Sequence, residues 1–261
     1  MKRYLILLLL IANLGLGVQS FAVMTKDERI KLEDQIDEAY EKEDKEKLLL
    51  LITKYVKEFP NNAEYLNRLG VLYDNKENYS EAKKWYLKAI ESGSSLAYFY
   101  LGRAYVESEE YKKGLDCLLE YNKILKEILI ENPYYMDYVP EYYYWTAEAY
   151  YGLGDYKNAK NWYLLAIDYI KQDNYFFGHP EQGLGIVSRD EKNYKEAEKW
   201  FLASIRKGFL RSYYSLSLLY EEINDIEALK KSVREGIVKA RNAGNTELVK
   251  DLEKRLREAV K

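Results

Sequence analysis

EAKKWYLKAIESG, the stretch at residues 81–93, recurs in altered form at residues 158–167 as NAKNWYLLAI and at residues 196–208 as EAEKWFLASIRKG. In each copy, small and large apolar residues return at steps of three or four, which places them on one face of a helix. A short polar turn that ends in a tyrosine precedes each copy. The recurring unit is therefore a helix, a turn and a second helix, and such units stack so that neighbours bury each other's apolar faces.

Two independent anchors give the repeat one register, because both step by 32, 45, 38 and 32 residues along the chain. We expect the small anchor residue to let the two helices of a unit approach closely, since a larger side chain would hold their backbones apart. The small residues of the first helices are Gly70, Gly102, Ala147, Gly185 and Ser217. The turn residues before the second helices are Tyr79, Tyr111, Tyr156, Tyr194 and Ile226.

The unit resembles the tetratricopeptide repeat, whose signature spacing is matched in the first copy by Leu69, Gly70, Tyr73, Ala82, Tyr86 and Ala89. It is also similar to the related Sel-one-like repeat, in which an Ala-x-x-Trp-Tyr-x-x-Ala run ends in glycine, as it does around Trp85. Few prolines and glycines and many helix formers indicate an all-α protein. The resemblance, which covers about residues 60–236, implies a right-handed superhelical solenoid of antiparallel helix pairs.

The sequence predicts four segments. Residues 1–22 are a signal peptide, and residues 23–59 form an N-terminal helical cap or a degenerate repeat. Residues 60–236 hold the repeat array of about five units. Residues 237–261 contribute a C-terminal capping helix, which would cover the exposed end of the array.

The signal peptide is inferred from the layout of the N-terminus. Lys2 and Arg3 precede an apolar run from Tyr4 to Val18, and small residues lead to a predicted cut after Ala22. The run is shorter than the ~20 residues of a membrane-spanning helix, so we expect no membrane insertion after cleavage; an uncleaved anchor is the alternative. These features predict an exported protein of bacterial type, periplasmic or secreted. Cleavage would leave a net charge of −5, with no general attraction for nucleic acid.

The resemblance also implies that the first helices line a concave groove which binds a protein or peptide. The residues at the family's inward-facing positions include tyrosines and arginines, the types that most often dominate binding energy when desolvated. For several of them the alternative is an ordinary solvated helix residue. The predicted partner-binding residues are Asn67, Phe99, Arg103, Tyr144, Glu148, Tyr151, Gln182, Arg189, Arg211 and Tyr214.

Three further features have two interpretations each. The tyrosine-rich stretch from Tyr134 to Tyr151 is interpreted mainly as core, with an aromatic lip for a peptide or sugar as the alternative. Cys117, the single cysteine, is interpreted as a buried apolar residue rather than a reactive thiol. His179, the single histidine, lacks the neighbours in sequence that catalysis or zinc binding needs.

The sequence therefore predicts a binding protein rather than an enzyme, with no catalytic residues, no metal site and no cofactor. No P-loop, dinucleotide, zinc-protease or serine-hydrolase motif is present. The main hypothesis is an exported interaction module or scaffold for a protein or peptide. The first alternative is a self-associating structural component of an envelope assembly. The second is an enzyme that acts on envelope glycans through paired carboxylates, although no spacing singles out such a pair.

Overall fold

The computed structural model describes residues 24–131, 136, 138–170 and 178–259. The predicted signal peptide and residues Tyr134 and Tyr135 of the tyrosine-rich stretch lie outside these ranges. The described residues form thirteen α-helices and no strand. The helices are α1 Lys26–Glu41, α2 Lys45–Glu58, α3 Ala63–Asp74, α4 Tyr79–Glu91, α5 Ala97–Glu107, α6 Tyr111–Glu131, α7 Val139–Gly152, α8 Tyr156–Tyr169, α9 His179–Asp190, α10 Tyr194–Arg206, α11 Ser212–Glu222, α12 Ile226–Asn242 and α13 Thr246–Glu258.

The chain divides into two compact units between Pro60 and Asn61. In the first unit, α1 and α2 pack against each other. A capping box starts α1: the Thr25 hydroxyl accepts a hydrogen bond from the Glu28 N–H, and the Glu28 carboxylate accepts one from the Thr25 N–H. The buried apolar residues of this pair are Leu32, Ile36, Ala39, Leu48, Ile52, Tyr55 and Val56.

The second unit is a row of helix pairs that contact their neighbours in sequence. The first helices of the pairs are α3, α5, α7, α9 and α11, and the second helices are α4, α6, α8, α10 and α12. Each first helix also contacts the next first helix, so the five form a continuous layer. Helix α13 packs on α12 and α11. The predicted fold class, an all-α solenoid of antiparallel helix pairs, is confirmed; the expected boundary at residue 236 falls inside α12.

One turn geometry joins the two helices of every pair. The residue two positions before each second helix has a positive φ, and Asn or Asp follows it in four of the five turns. The Asn78 side chain, for example, accepts a hydrogen bond from the N–H of Glu81 and so satisfies a free donor at the start of α4. The residues with positive φ are Glu77, Glu109, Gly154, Lys192 and Asn224.

The small anchor residues sit where the first and second helices approach most closely. A Cβ atom added to Gly70 would lie 2.5 Å from the ring of Tyr86, and one added to Gly185 would lie 2.5 Å from the ring of Phe201. A Cβ atom on Gly102 would lie 2.7 Å from Leu118 and 3.1 Å from the backbone oxygen of Gly114. The three side-chain contacts are closer than real Cβ atoms show, so the register predicted from the small residues matches the packing.

We expect Gly102→Leu to lower the free energy of unfolding by about 3 kcal/mol, because the new side chain has no space between α5 and α6. Gly154→Ala is the matched control, since no heavy atom lies within 4 Å of its Cβ position but its φ is +76°. Backbone strain alone should cost that variant about 1 kcal/mol. The measurement is urea unfolding followed by circular dichroism. Equal midpoints for Gly102→Leu and the parent chain would contradict the close approach.

Candidate functional site

A pocket of 490 Å³ opens on the layer of first helices, and we call it the central pocket. Four successive first helices contribute to it: the end of α3, the middle and end of α5, the start of α7 and the first residue of α9. Its volume falls within the ~300–1,000 Å³ typical of ligand sites. The residues that line it are Asp74, Asn75, Tyr79, Arg103, Glu107, Glu141, Tyr144, Trp145 and His179.

Arg103 lies among three acidic side chains in the central pocket. Its Nη2 pairs with the carboxylate of Asp74, and its Nη1 lies 3.2 Å from Oε1 of Glu141. Its Nε lies 3.9 Å from Oε2 of Glu107, so this third pair is looser. Asp74 is the best-buried partner, with 2% of its side chain exposed, and it also accepts a hydrogen bond of 3.1 Å from the Tyr86 hydroxyl. One guanidinium therefore joins carboxylates from three first helices.

The carboxylates of the central pocket outnumber its cations. Burial raises the pKa of Glu107 to about 7; Arg103 opposes this rise, and the Asp74 and Glu141 carboxylates add to it. Burial likewise raises the pKa of Glu141, against the opposing effect of Arg103. Burial would lower the pKa of Arg103, but the carboxylates of Asp74, Glu141 and Glu107 raise it, so the guanidinium stays charged. The pocket thus contains acid groups that a single arginine does not neutralise.

Aromatic side chains form the remaining walls of the pocket. Tyr100 is not part of the lining, but its ring lies 5.4 Å from the guanidinium carbon of Arg103, within cation–π range. The indole Nε1 of Trp145 donates a hydrogen bond of 3.3 Å to Glu141. The ring of Tyr144 meets that of His179 edge-on, with 6.0 Å between centroids. The arrangement combines flat aromatic walls with acidic side chains.

Charge is segregated between the two layers of helices. The five first helices carry three basic and nine acidic residues, a net charge of −6. The five second helices carry seventeen basic and eleven acidic residues, a net charge of +6. Because the first helices carry the net negative charge, the electrostatic potential at the surface that contains the central pocket favours cations over anions.

The structure brings two of the predicted partner-binding residues, Arg103 and Tyr144, to the central pocket. Two others do not lie on the surface. Phe99 is 1% exposed and packs against Tyr121 at 5.6 Å, because its position on α5 faces α6 rather than solvent. Asn67 is 9% exposed, so its amide is also buried. The expectation that these two side chains line an open groove is therefore corrected.

Four predicted residues bond to neighbouring helices. Glu148 accepts a hydrogen bond of 2.6 Å from the Tyr163 hydroxyl, and burial raises the pKa of its carboxyl. Three contacts join successive first helices: Tyr151 donates to Asp190 at 2.8 Å, Gln182 donates to Ser215 at 3.0 Å, and Arg189 Nε lies 4.0 Å from Glu222. These side chains join the first helices to one another or to α8, which limits their freedom to engage a partner.

The last two predicted residues lie near the C-terminal end of the layer. Arg211 is half exposed and pairs with Asp251 of α13 at 3.3 Å. The guanidinium carbons of Arg211 and Arg255 lie 5.9 and 5.8 Å from the ring centroid of Tyr214. Both residues are remote in sequence from the central pocket and do not line it.

Sequence reasoning missed Glu141 and Trp145 as residues of the site. Both lie on α7 beside Tyr144, which was predicted. Glu141 precedes Tyr144 by three residues and Trp145 by four, and such spacings share one face of a helix. The sequence signal that could have identified Glu141 was therefore its position, three residues before Tyr144, which was predicted to face inward.

The tyrosine-rich stretch supplies core in its described part. Tyr142 is 1% exposed and packs against Tyr121 and Trp162, with centroids 5.3 and 5.8 Å away. Tyr143 is half-buried and contacts Trp162 at 5.5 Å. Cys117 is also half-buried, and burial raises the pKa of its thiol to about 11, which lowers its reactivity at neutral pH.

Two properties of the described residues concern metal ions and membranes. Among these residues, no group of three or more His, Cys, Asp or Glu side chains is placed to hold a metal ion. Of the helices that the structure describes, none has both the length and the apolar character of a membrane span.

Comparison with known families supports the repeat assignment. Residues 63–92 and 140–173 match the family model described as tetratricopeptide repeat. The first match covers α3 and α4, and the second begins in α7 and covers α8. Tetratricopeptide repeats are therefore present in the chain. A search of curated proteins finds no match.

Solved structures of tetratricopeptide proteins share the fold. The crystal structure of MamA protein is 23% identical, with a TM-score of 0.54 over 71% of this chain and 94% of its own. The pilF protein of Pseudomonas aeruginosa is 13% identical, with a TM-score of 0.59 over 86% of this chain and 96% of its own. YrrB, described as a TPR protein with an unusual peptide-binding site, is 19% identical, with a TM-score of 0.51 over 78% and 97%.

We expect Glu107→Gln to become more stabilising relative to the parent chain as the pH rises. The ordinary pKa of 4.5 is raised to about 7 in the folded chain, so the contribution of Glu107 to stability is fully present below pH 4.5 and is lost as the pH rises toward 7. The difference in unfolding free energy between variant and parent should grow by about 1 kcal/mol from pH 4.5 to pH 8, since solvent partly screens the side chain.

The measurement is urea unfolding of both proteins at each pH, supported by ¹³C NMR titration of the glutamate carboxyls. The carboxyl resonance that is missing from the Glu107→Gln spectrum should titrate near pH 7. A difference in unfolding free energy that is independent of pH would contradict the burial of this charge among other carboxylates.

Proposed function

We propose that the chain is an exported scaffold that binds a protein or peptide segment on the layer of first helices. The central pocket supports this most directly, because four successive first helices build it and it combines aromatic walls with fixed charge. Convergent polar groups in a concave site with apolar walls are the usual form of a ligand site. Arg103 and Tyr144, both predicted from the sequence, lie within it.

The family supports binding rather than catalysis. Tetratricopeptide repeats generally act as non-catalytic scaffolds for proteins and peptides, and the tryptophans at 85, 162 and 200 favour the Sel-one-like variant. One observation argues against the glycan-enzyme hypothesis. Arg103 pairs with the Asp74 and Glu141 carboxylates of the central pocket, so neither is free to serve as a separate acid or base in glycoside hydrolysis.

Self-association is the second candidate, and one observation favours it. Exposed leucines recur at equivalent positions of three second helices: Leu87, Leu164 and Leu202, with 43%, 43% and 37% of their surface exposed. Such a row would be buried if second helices of two copies packed together. This candidate predicts contacts through the opposite layer from the central pocket, so one experiment separates the two.

The experiment introduces the photocrosslinking residue p-benzoylphenylalanine at single positions of the full chain in its own cells. Asn75 and Glu64 sample the layer of first helices, and Lys84 and Lys199 on α4 and α10 are the matched positions on the second helices. We expect a partner protein to be captured from positions 75 and 64 and not from 84 and 199. Capture of the chain itself from 84 and 199 alone would favour self-association and contradict the proposal.

Export is tested at the N-terminus. We expect mass spectrometry of the protein from the periplasmic or culture fraction to show an N-terminus at Val23. Ala22→Leu should block this cut, because signal peptidase requires a small residue there, while Ala12→Leu in the apolar run should be processed normally. An intact Met1 in the exported fraction would indicate the uncleaved anchor instead.

A further inference from the structure

We propose that the segment bound on the first helices is cationic, and that one of its lysine or arginine side chains enters the central pocket. This inference rests on the proposed function and specifies its partner. Two separate observations support it: the unequal charges of the pocket and the segregation of charge between the two layers of helices.

One carboxylate of the pocket, that of Glu107, has no close cationic partner among the residues that the structure describes. Arg103 pairs closely with Asp74 and Glu141, but its Nε lies 3.9 Å from Glu107, beyond hydrogen-bond distance. Glu107 has 26% of its side chain exposed, the largest value of the three acids, so a ligand can reach it. An incoming ammonium or guanidinium group would give this carboxylate the close partner that it lacks.

The walls of the pocket suit the rest of such a side chain. Tyr79, Tyr144 and Trp145 line the same pocket and offer aromatic surface. The aliphatic stem of a lysine or arginine can lie on this surface while its charged end reaches the acids. A cation beside these rings also gains cation–π attraction.

An anionic partner fits the site poorly. An incoming phosphate or carboxylate would compete for Arg103 with three carboxylates that are already in place. The net charge of −6 on the first helices would repel it from a distance as well. The same field attracts a basic segment and steers it toward the layer that contains the pocket.

An extended segment fits better than a second copy of the chain. In a second copy, seventeen of the basic residues lie on packed second helices, which also carry the exposed leucines Leu87 and Leu202. A pocket of 490 Å³ admits one or a few side chains from a flexible segment rather than a helical layer.

The first step of the test selects peptides from a random twelve-residue display library with the full chain as bait. We expect the selected peptides to be rich in lysine and arginine. The dissociation constant of one such peptide, labelled with fluorescein, is then measured by fluorescence anisotropy. It should rise at least about tenfold for Glu107→Gln/Glu141→Gln, the usual effect of removing charged hydrogen-bond partners. Added salt should also weaken the binding.

The control variant is Glu120→Gln/Glu127→Gln, which makes the same change on α6, a second helix. Its dissociation constant should stay within about twofold of the parent value, since both residues are exposed and away from the pocket. Replacement of the key peptide lysine by norleucine should weaken binding to the parent chain and change binding to the pocket variant little. If the double variant does not fold, Glu107→Gln alone replaces it, because that residue is the most exposed acid of the pocket.

The outcomes test separately whether the bound segment is cationic and whether it binds on the layer of first helices. Selected peptides without basic residues that still block crosslinking from position 75 would overturn the cationic segment and leave the proposed function standing. If basic peptides bind equally well to the parent chain and to the pocket variant, they do not bind in the central pocket, and that part of the proposal is overturned. Crosslinking from position 75 that captures only a second copy would overturn both the cationic segment and the proposed partner.

Discussion

The close approach of the two helices in each pair is the constraint on which the rest of the second unit depends. At Gly70, Gly102 and Gly185, even a methyl side chain would clash with the large residue opposite it on the second helix of the pair. These three pairs are held at a short distance, and the next first helix lies alongside each of them, so that the layer continues. The pocket, its ion pairs and its aromatic walls all depend on this spacing between helices.

Arg103 shows how the spacing of the first helices brings charged side chains together. Its guanidinium reaches acids on α3 and α7 as well as on its own helix, which only adjacent first helices can supply. A buried ion network of this kind adds little net stability, because desolvation of the charges offsets their attraction. Its value lies in fixing the position of charged groups at a surface that a ligand can reach.

The fold was predictable from the sequence because its signals are local and repeated. The steps of 32, 45, 38 and 32 residues, the small residues opposite large ones and the polar turns all describe contacts inside one unit. The site was predictable only in part, since it depends on how units face each other. Phe99 was placed one helix face away from its true position, while Arg103 was predicted and its partner Glu141, 38 residues further on, was not. The spacing of Glu141 from Tyr144 could place Glu141 on the inward face of α7, but no spacing in the sequence indicates that it pairs with Arg103.

Contacts that reach only neighbouring helices also shape how the second unit comes apart. In an array of this kind the terminal helices can open while the middle stays folded, so cooperativity is regional rather than global. The central pocket needs α3, α5, α7 and α9 in place at the same time. A molecule held there would therefore bind these four helices into one protected block, and hydrogen exchange would slow across it while α13 continued to fray.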